Sequence, residues 1–282
     1  MSDKLYLHMG PGMNAHCERN LLATEWTDTE FWDQPTISDS QDAFLVLVKA
    51  VCQKVQQKFQ RSQKPITLVG HSFGGHLAIE ALKEVGAMVD RCELLSPVYD
   101  LPSGFLGVLK ALGKDAGTTP ELKMEIEKYL LASEGSRLGR PQNFWEYIQL
   151  ITQDPMFFRV YWAEPDLFRK FGRVAASAPP LDLETFQFVL NDIFEKVDFS
   201  KAKKSLWTGP VEITFGALDP LVDVEREDRL WKSVFPQAQV RTLPESGHYL
   251  HLEDRLRLHD GPLVREGVEQ CNHHADRRER GR

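Results

Sequence analysis

Along this chain the spacing of apolar and polar residues changes character several times. Ile66–Val69 is a short unbroken apolar run with β-branched residues, the pattern of a strand buried on both faces. It ends in Gly70-His71-Ser72-Phe73-Gly74, and the residues from Gly75 to Leu82 read as a helix. Lys4–His8, Cys92–Ser96, Val211–Phe215 and Ala238–Leu243 are further strand candidates, and Trp26–Trp32 is a poorer one. Helical spacing lies between them. Phe44, Val48, Val51, Val55 and Phe59 mark one face of a helix, with Ser38 and Gln41 as a capping box ahead of it. Val224–Phe235 is a second helix of this kind, and the residues from Tyr249 onward a third. Strands alternating with amphipathic helices predict an α/β fold, a mostly parallel sheet covered on both faces.

The alternation lapses between Leu101 and Trp207, where helical segments follow one another without a convincing strand. Thr119-Pro120 starts one, with Leu122, Ile126 and Leu130 on one face. Phe144–Thr152, Pro155–Ala163 and Pro165–Phe171 continue the series, and Phe186, Val189, Ile193 and Val197 define a fifth. The stretch holds 16 of the chain's 28 aromatic residues, so it must bury an apolar layer, and some of that layer is expected to face a cleft. Trp145, Phe158 and Trp162 are the candidates for that face. The pattern divides the chain into a sheet core at 1–100 and 208–271, an inserted all-helical lid at 101–207, and a polar, disordered tail at 272–282.

Composition narrows the function classes. With 282 residues there is ample length for a real core. A net charge of -7 and no basic stripe argue against nucleic acid as a partner. No apolar run approaches the ~20 residues of a membrane span, and Met1-Ser2-Asp3-Lys4-Leu5 lacks a secretory pattern, so the expected location is the cytoplasm. The four cysteines are far apart and read as reduced structural thiols. Cys271 with His273 and His274 has ligand-type residues but no second cluster, so neither a metal nor an organic cofactor is expected.

The chemistry gathers in the loops that follow strands. A serine hydroxyl is a poor nucleophile at neutral pH and needs a base within hydrogen-bond reach, normally a histidine held by a carboxylate. Ser72, Asp219 and His248 supply those types in that order. In a parallel sheet the loops after strands all emerge at one edge, so remote residues can meet there. Asp100, after the Cys92–Ser96 strand, competes with Asp219; Asp223 competes too but reads better as the N-cap of the next helix. His251 competes with His248, where Gly247 gives the loop flexibility. His71 and His76 flank the serine and are accounted for by helix packing and solvent exposure. The glycines at 70 and 74 fit a sharp strand–turn–helix with a strained central residue. Met9-Gly10-Pro11-Gly12, directly after the first strand, is either a plain tight turn or an anion hole.

On these motifs the chain resembles an α/β-hydrolase fold protein with a helical lid, over nearly its whole length. Gly70–Gly74 is similar to the family's nucleophile elbow, Gly216-Ala217-Leu218-Asp219 to its acid loop, and Gly247-His248 to its histidine loop. His8-Met9-Gly10-Pro11-Gly12 is similar to the HGGPG-type oxyanion loop of esterases and proline iminopeptidases, with Met9 where a glycine is usual. The resemblance implies Ser72, Asp219 and His248 as a triad, with the backbone N–H groups of Phe73 and Gly10 as oxyanion donors and Met9 beside the substrate. It implies two-step acyl transfer on a small-molecule acyl substrate, a carboxylic ester first. Thioester, C–C bond or N-terminal peptide hydrolysis and lyase chemistry are the alternatives, and a non-catalytic small-molecule receptor is the reading from another class. It also implies a sheet lacking the family's N-terminal edge hairpin, with the bared edge open to a partner subunit in a homodimer.

Overall fold

Strand β3 (Ile66–His71) is buried at every position, and the chain is layered around it. The computed structural model describes residues 3–258 apart from 40, 134–140 and 200. With β1 (Asp3–Leu7), β2 (Thr29–Trp32), β4 (Val89–Leu95), β5 (Val211–Gly216) and β6 (Gln239–Leu243), β3 forms a sheet in the order β2-β1-β3-β4-β5-β6. Every neighbouring pair is parallel. The first strand is therefore interior, and among the described residues β2 is the outermost on that side. All four β2 residues are half-buried, and Glu30 pairs with Lys54 and Lys58 of the covering helix.

The chain runs outward from β1 to β2 and then crosses back to β3, so its direction of growth reverses between β1 and β3. In such a sheet a crevice opens at that point, beyond the carboxyl ends of the strands. The loops after β1 and β3 flank it, and they contain Gly10 and Ser72.

Helices α1 (His16–Leu22), α2 (Ala43–Ser62), α3 (Gly74–Val85), α9 (Val224–Val234) and α10 (Leu250–Leu258) accompany the strands. Apolar positions decide which faces are inward. In α2, Leu47, Val48, Val51 and Val55 are buried, each burial worth roughly 1.5–3 kcal/mol. The capping box expected at Ser38 and Gln41 is not formed. The Gln41 N–H goes to the Asp39 side chain at 2.9 Å, and α2 begins after Asp42 in a left-handed conformation, its carboxylate drawn off by Lys196.

Between β4 and β5 lie α4 (Leu101–Lys114), α5 (Pro120–Ser133), α6 (Pro141–Thr152), α7 (Pro165–Ala175) and α8 (Leu183–Lys196). Helix α4 has no counterpart in the sequence pattern. The expected helix over Pro155–Ala163 is only a 3₁₀ turn, Phe157–Tyr161, because the Asp154 side chain takes the Met156 N–H and turns the chain first. The polar tail at 272–282 and the group Cys271, His273 and His274 lie outside the described residues. Among the described residues no helix is long and apolar enough to cross a membrane.

Candidate active site

The turn after β3 is fixed by close backbone contacts. A Cβ on Gly74 would stand 2.3 Å from the Leu7 carbonyl oxygen, and one on Gly70 2.8 Å from that of Gly74. Helix α3 can meet β1 and β3 this closely only with glycine at both places. Between them Ser72 has φ of 54°, a region non-glycine residues rarely occupy. Its N–H donates to the Leu95 carbonyl at 3.0 Å, which locks the turn to β4. Ser72 thus stands at the carboxyl end of the sheet, ahead of the α3 N-terminus.

Asp219 follows β5 and His248 follows β6. Their loops cross at Gly216, where a Cβ would lie 2.2 Å from the Gly247 carbonyl oxygen. The Leu218 N–H donates to the Ser246 carbonyl at 2.9 Å. This crossing brings the two side chains together: His248 Nδ1–H donates to Asp219 Oδ2 at 2.7 Å, both fully buried. The other Asp219 oxygen accepts the Leu221 N–H at 2.9 Å. Nε2 of His248 is buried and has no hydrogen-bond partner, Ser72 included.

The competing residues go elsewhere. Asp100 caps α4 through the Ser103 N–H at 3.1 Å and pairs with Arg226. Asp223 caps α9 at the Arg226 N–H, 3.1 Å. His251 points away from Asp219, with Nε2 3.0 Å from the Tyr6 hydroxyl. Burial pushes its pKa down to about 3.

His71 and His76 are not solvent-exposed as expected; both are buried. His71 Nε2–H donates to the His248 carbonyl at 3.0 Å, and the two rings are 4.9 Å apart. Burial first, and then the nearby His251 and His248, hold its pKa well below the usual histidine value, so it stays neutral beside His248. His76 Nε2–H donates to the Val98 carbonyl at 2.9 Å, and burial lowers its pKa to about 4. Gly247 also plays a different part from the flexible one expected. A Cβ there would lie 2.5 Å from the Tyr161 carbonyl oxygen, so the glycine makes room for a close approach.

The loop after β1 is held on several sides. Gly10 and Gly12 have φ of 56° and 69°. The Gly10 carbonyl accepts from Gln34 Nε2 at 3.1 Å, and the Gly12 carbonyl from the Asp182 N–H at 2.9 Å. Above Ser72 this loop closes one wall of a cavity of about 160 Å³. Met9, Gly10, Ser72, Phe73 and Phe158 line it, together with Phe105, Tyr147, Tyr161 and Leu190. None of its described lining residues is charged. Two of the four expected contact residues, Trp145 and Trp162, do not line it. Trp162 instead stacks on Tyr249, ring centroids 4.5 Å apart, and Trp145 packs on the core. A larger groove of about 940 Å³ lies on the other side of α3, lined by Lys83, Lys203 and Trp207, and does not include Ser72.

Glu18, His71 and His251 have potential metal-ligating atoms within 4.8 Å of one another. The Tyr6 hydroxyl already bonds both Glu18 and His251 at 3.0 Å, so protein groups satisfy the carboxylate that a cation would take.

Sequence reasoning missed the parts played by His71 and Tyr161. The His248 N–H donates to the Tyr161 carbonyl at 2.7 Å, and the Tyr161 ring meets the His248 ring edge-on at 5.4 Å. No period or spacing could have announced either contact, since both partners come from remote segments.

The family model described as "Alpha/beta hydrolase family" matches residues 15–260. No curated protein sequence matches the chain. Among solved structures, a proline iminopeptidase-related protein from Thermus thermophilus is similar with a TM-score of 0.62 at 21% identity, over 89% of this chain and 84% of that one. Proline iminopeptidase from Mycobacterium smegmatis gives 0.57 at 14%, over 90% and 85%. An esterase from Exiguobacterium antarcticum gives 0.54 at 16%, over 92% and 89%. At these identities the likeness is one of fold. With its parallel six-stranded sheet, its flanking helices and the family match over most of its length, the chain belongs to the alpha/beta hydrolase family and is a hydrolase.

Proposed function

We propose that this hydrolase cleaves carboxylic esters or closely related acyl compounds with an uncharged, apolar acyl portion, using Ser72 as nucleophile. The observation that carries the reading is the buried 2.7 Å hydrogen bond from His248 to Asp219, at the sheet edge where Ser72 is held in a left-handed turn. A histidine fixed by its Nδ1–H leaves Nε2 as an acceptor, the tautomer a general base needs. Hydrogen bonds from nucleophile to base are often long without substrate and tighten when it binds.

In the reaction, Nε2 of His248 takes the Ser72 proton as Oγ attacks the carbonyl carbon. The oxyanion is received by the backbone N–H groups of Phe73 and Gly10, each worth ~3–4 kcal/mol in the transition state. The tetrahedral adduct collapses, the leaving group departs with the proton from His248, and an acyl-Ser72 ester remains. Water deprotonated by His248 then attacks that ester and releases the acid. Helices α4–α8 serve as a lid whose inner face holds the acyl group.

The cavity favours esters over N-terminal peptides. An α-ammonium group would need a carboxylate to replace its hydration, and the described lining residues offer none. Fluorophosphonate labelling tests the reading directly. The wild-type protein is expected to be labelled and Ser72→Ala to stay unlabelled. Labelling that survives in Ser72→Ala removes Ser72 as the nucleophile, and labelling that fails in the wild type leaves the cavity as a receptor site. In a substrate panel, octanoyl p-nitrophenyl ester should be turned over far faster than proline p-nitroanilide; the reverse order would favour a peptidase.

A further inference from the structure

The proposed base, His248, sits in a loop fastened to the helical segment between β4 and β5 rather than to the sheet alone, and one side chain makes the joint. Glu253 lies on α10, fully buried. One of its oxygens accepts the Gly247 N–H at 3.0 Å, next to the base. The other accepts the Ala163 N–H at 2.9 Å, just beyond the 3₁₀ turn whose Tyr161 and neighbours roof the cavity. The Tyr161 carbonyl takes the His248 N–H, and Trp162 stacks on Tyr249, so residues 161–163 and 247–249 are joined pairwise around this carboxylate. Gly247 is required for the meeting: a Cβ there would come within 2.9 Å of both the Ala163 nitrogen and a Glu253 oxygen. Arg257, one turn on, stands 3.6 Å from Glu253 and reaches Glu164 at 3.1 Å, supplying the counter-charge from the same two segments.

We infer that Glu253 is a positioning residue that sets the place of His248 by clamping the histidine loop to the roof of the substrate cavity. A buried carboxylate between two N–H donors has no freedom to slide, and misplacing a catalytic group by about 1 Å can cost on the order of 100-fold in rate. A carboxylate is also the one side-chain group of this length that can accept from both sides at once. The amide of glutamine turns an NH₂ toward one of the two donors and must release one loop.

The inference rests on the serine hydrolase reading, and the test separates the two. Glu253→Gln is measured in the full-length protein for thermal midpoint, for ester kcat and KM, and for the rate of fluorophosphonate labelling at Ser72 per folded molecule. The expected result is a fall of roughly tenfold to a hundredfold in both kcat and labelling rate, with KM within about threefold of wild type. A variant that melts earlier yet labels Ser72 at the wild-type rate overturns the clamp and leaves Glu253 with a structural role. If Glu253→Gln does not fold, Glu253→Asp keeps the charge but shortens the reach by one methylene, so the carboxylate can no longer hold the Ala163 and Gly247 N–H groups together. It should slow labelling several-fold, and an unchanged rate overturns the clamp. Absence of Ser72 labelling in the wild type would strike the hydrolase reading itself.

Discussion

Asp100 and Asp219 are the same residue type just beyond the ends of neighbouring strands, and their surroundings give them different work. Asp100 spends its oxygens on the first turn of α4 and on Arg226, whereas Asp219 holds His248. Asp219→Asn should therefore lower turnover by up to ~10⁴ with the fold retained. Asp100→Asn keeps an N-cap acceptor and loses only the charge opposite Arg226, so it should leave turnover within a few-fold and lower stability by no more than about 1 kcal/mol, as read by urea unfolding. Ser72, Asp219 and His248 could be singled out because each stands in a loop after a strand with a glycine within three residues. His71 was not legible: it occupies a position that the turn leaves open, and its bond to the His248 carbonyl joins residues 177 apart in sequence. The Ser38–Gln41 box was misread because the nearer Asp39 side chain takes the Gln41 N–H.

Among the elements, α4 shows most plainly how packing outweighs local signals. Pro102, Ser103, Gly104 and Gly107 make Leu101–Lys114 look like a loop, yet Val108, Leu109 and Leu112 are completely buried. The glycines are there for contact. A Cβ on Gly107 would lie 1.9 Å from the Pro220 carbonyl oxygen, and one on Gly104 3.0 Å from that of Leu221. Helix α4 thus lies directly against the loop that carries Asp219. Gly107→Ala should destabilise the protein by about 1–3 kcal/mol, the usual cost of overpacking. Because Pro220 must move, it should also depress kcat more than KM; steady-state kinetics on a p-nitrophenyl ester checks the second effect. The reverse error, a helix expected over Pro155–Ala163, has a similar cause. Asp154 and Arg159 close a tight turn with Asp115 and Thr118, a set that apolar spacing alone does not reveal.

Across the whole molecule the alternation of strands and helices was enough to predict a parallel sheet. The position of β2 outside β1 was not legible, because the crossover from Leu7 to Thr29, helix α1 included, can set the next strand down on either side of the first. Burial on this scale also sets how stability responds to pH. Burial lowers His8 and His76 to about 4 and His251 to about 3. Their unfolded forms take up protons near 6.5, so stability present above that pH is lost as pH falls toward 4. Burial raises Glu18 and Glu227 to about 7. Their contribution is complete below the unfolded value near 4.5 and is lost as pH rises through 7. Thermal midpoints measured from pH 4 to 9 should therefore fall on both sides of a maximum, more steeply on the acid side, where the histidines act together. The placement of Ser72 after β3 and of His248 after β6 has a consequence for synthesis. A ribosome releases the serine turn, complete with its glycines, long before it has made the imidazole proposed to activate it. On the proposed mechanism the unfinished chain carries its nucleophile unarmed, and chemistry begins only once the last strand has joined the sheet.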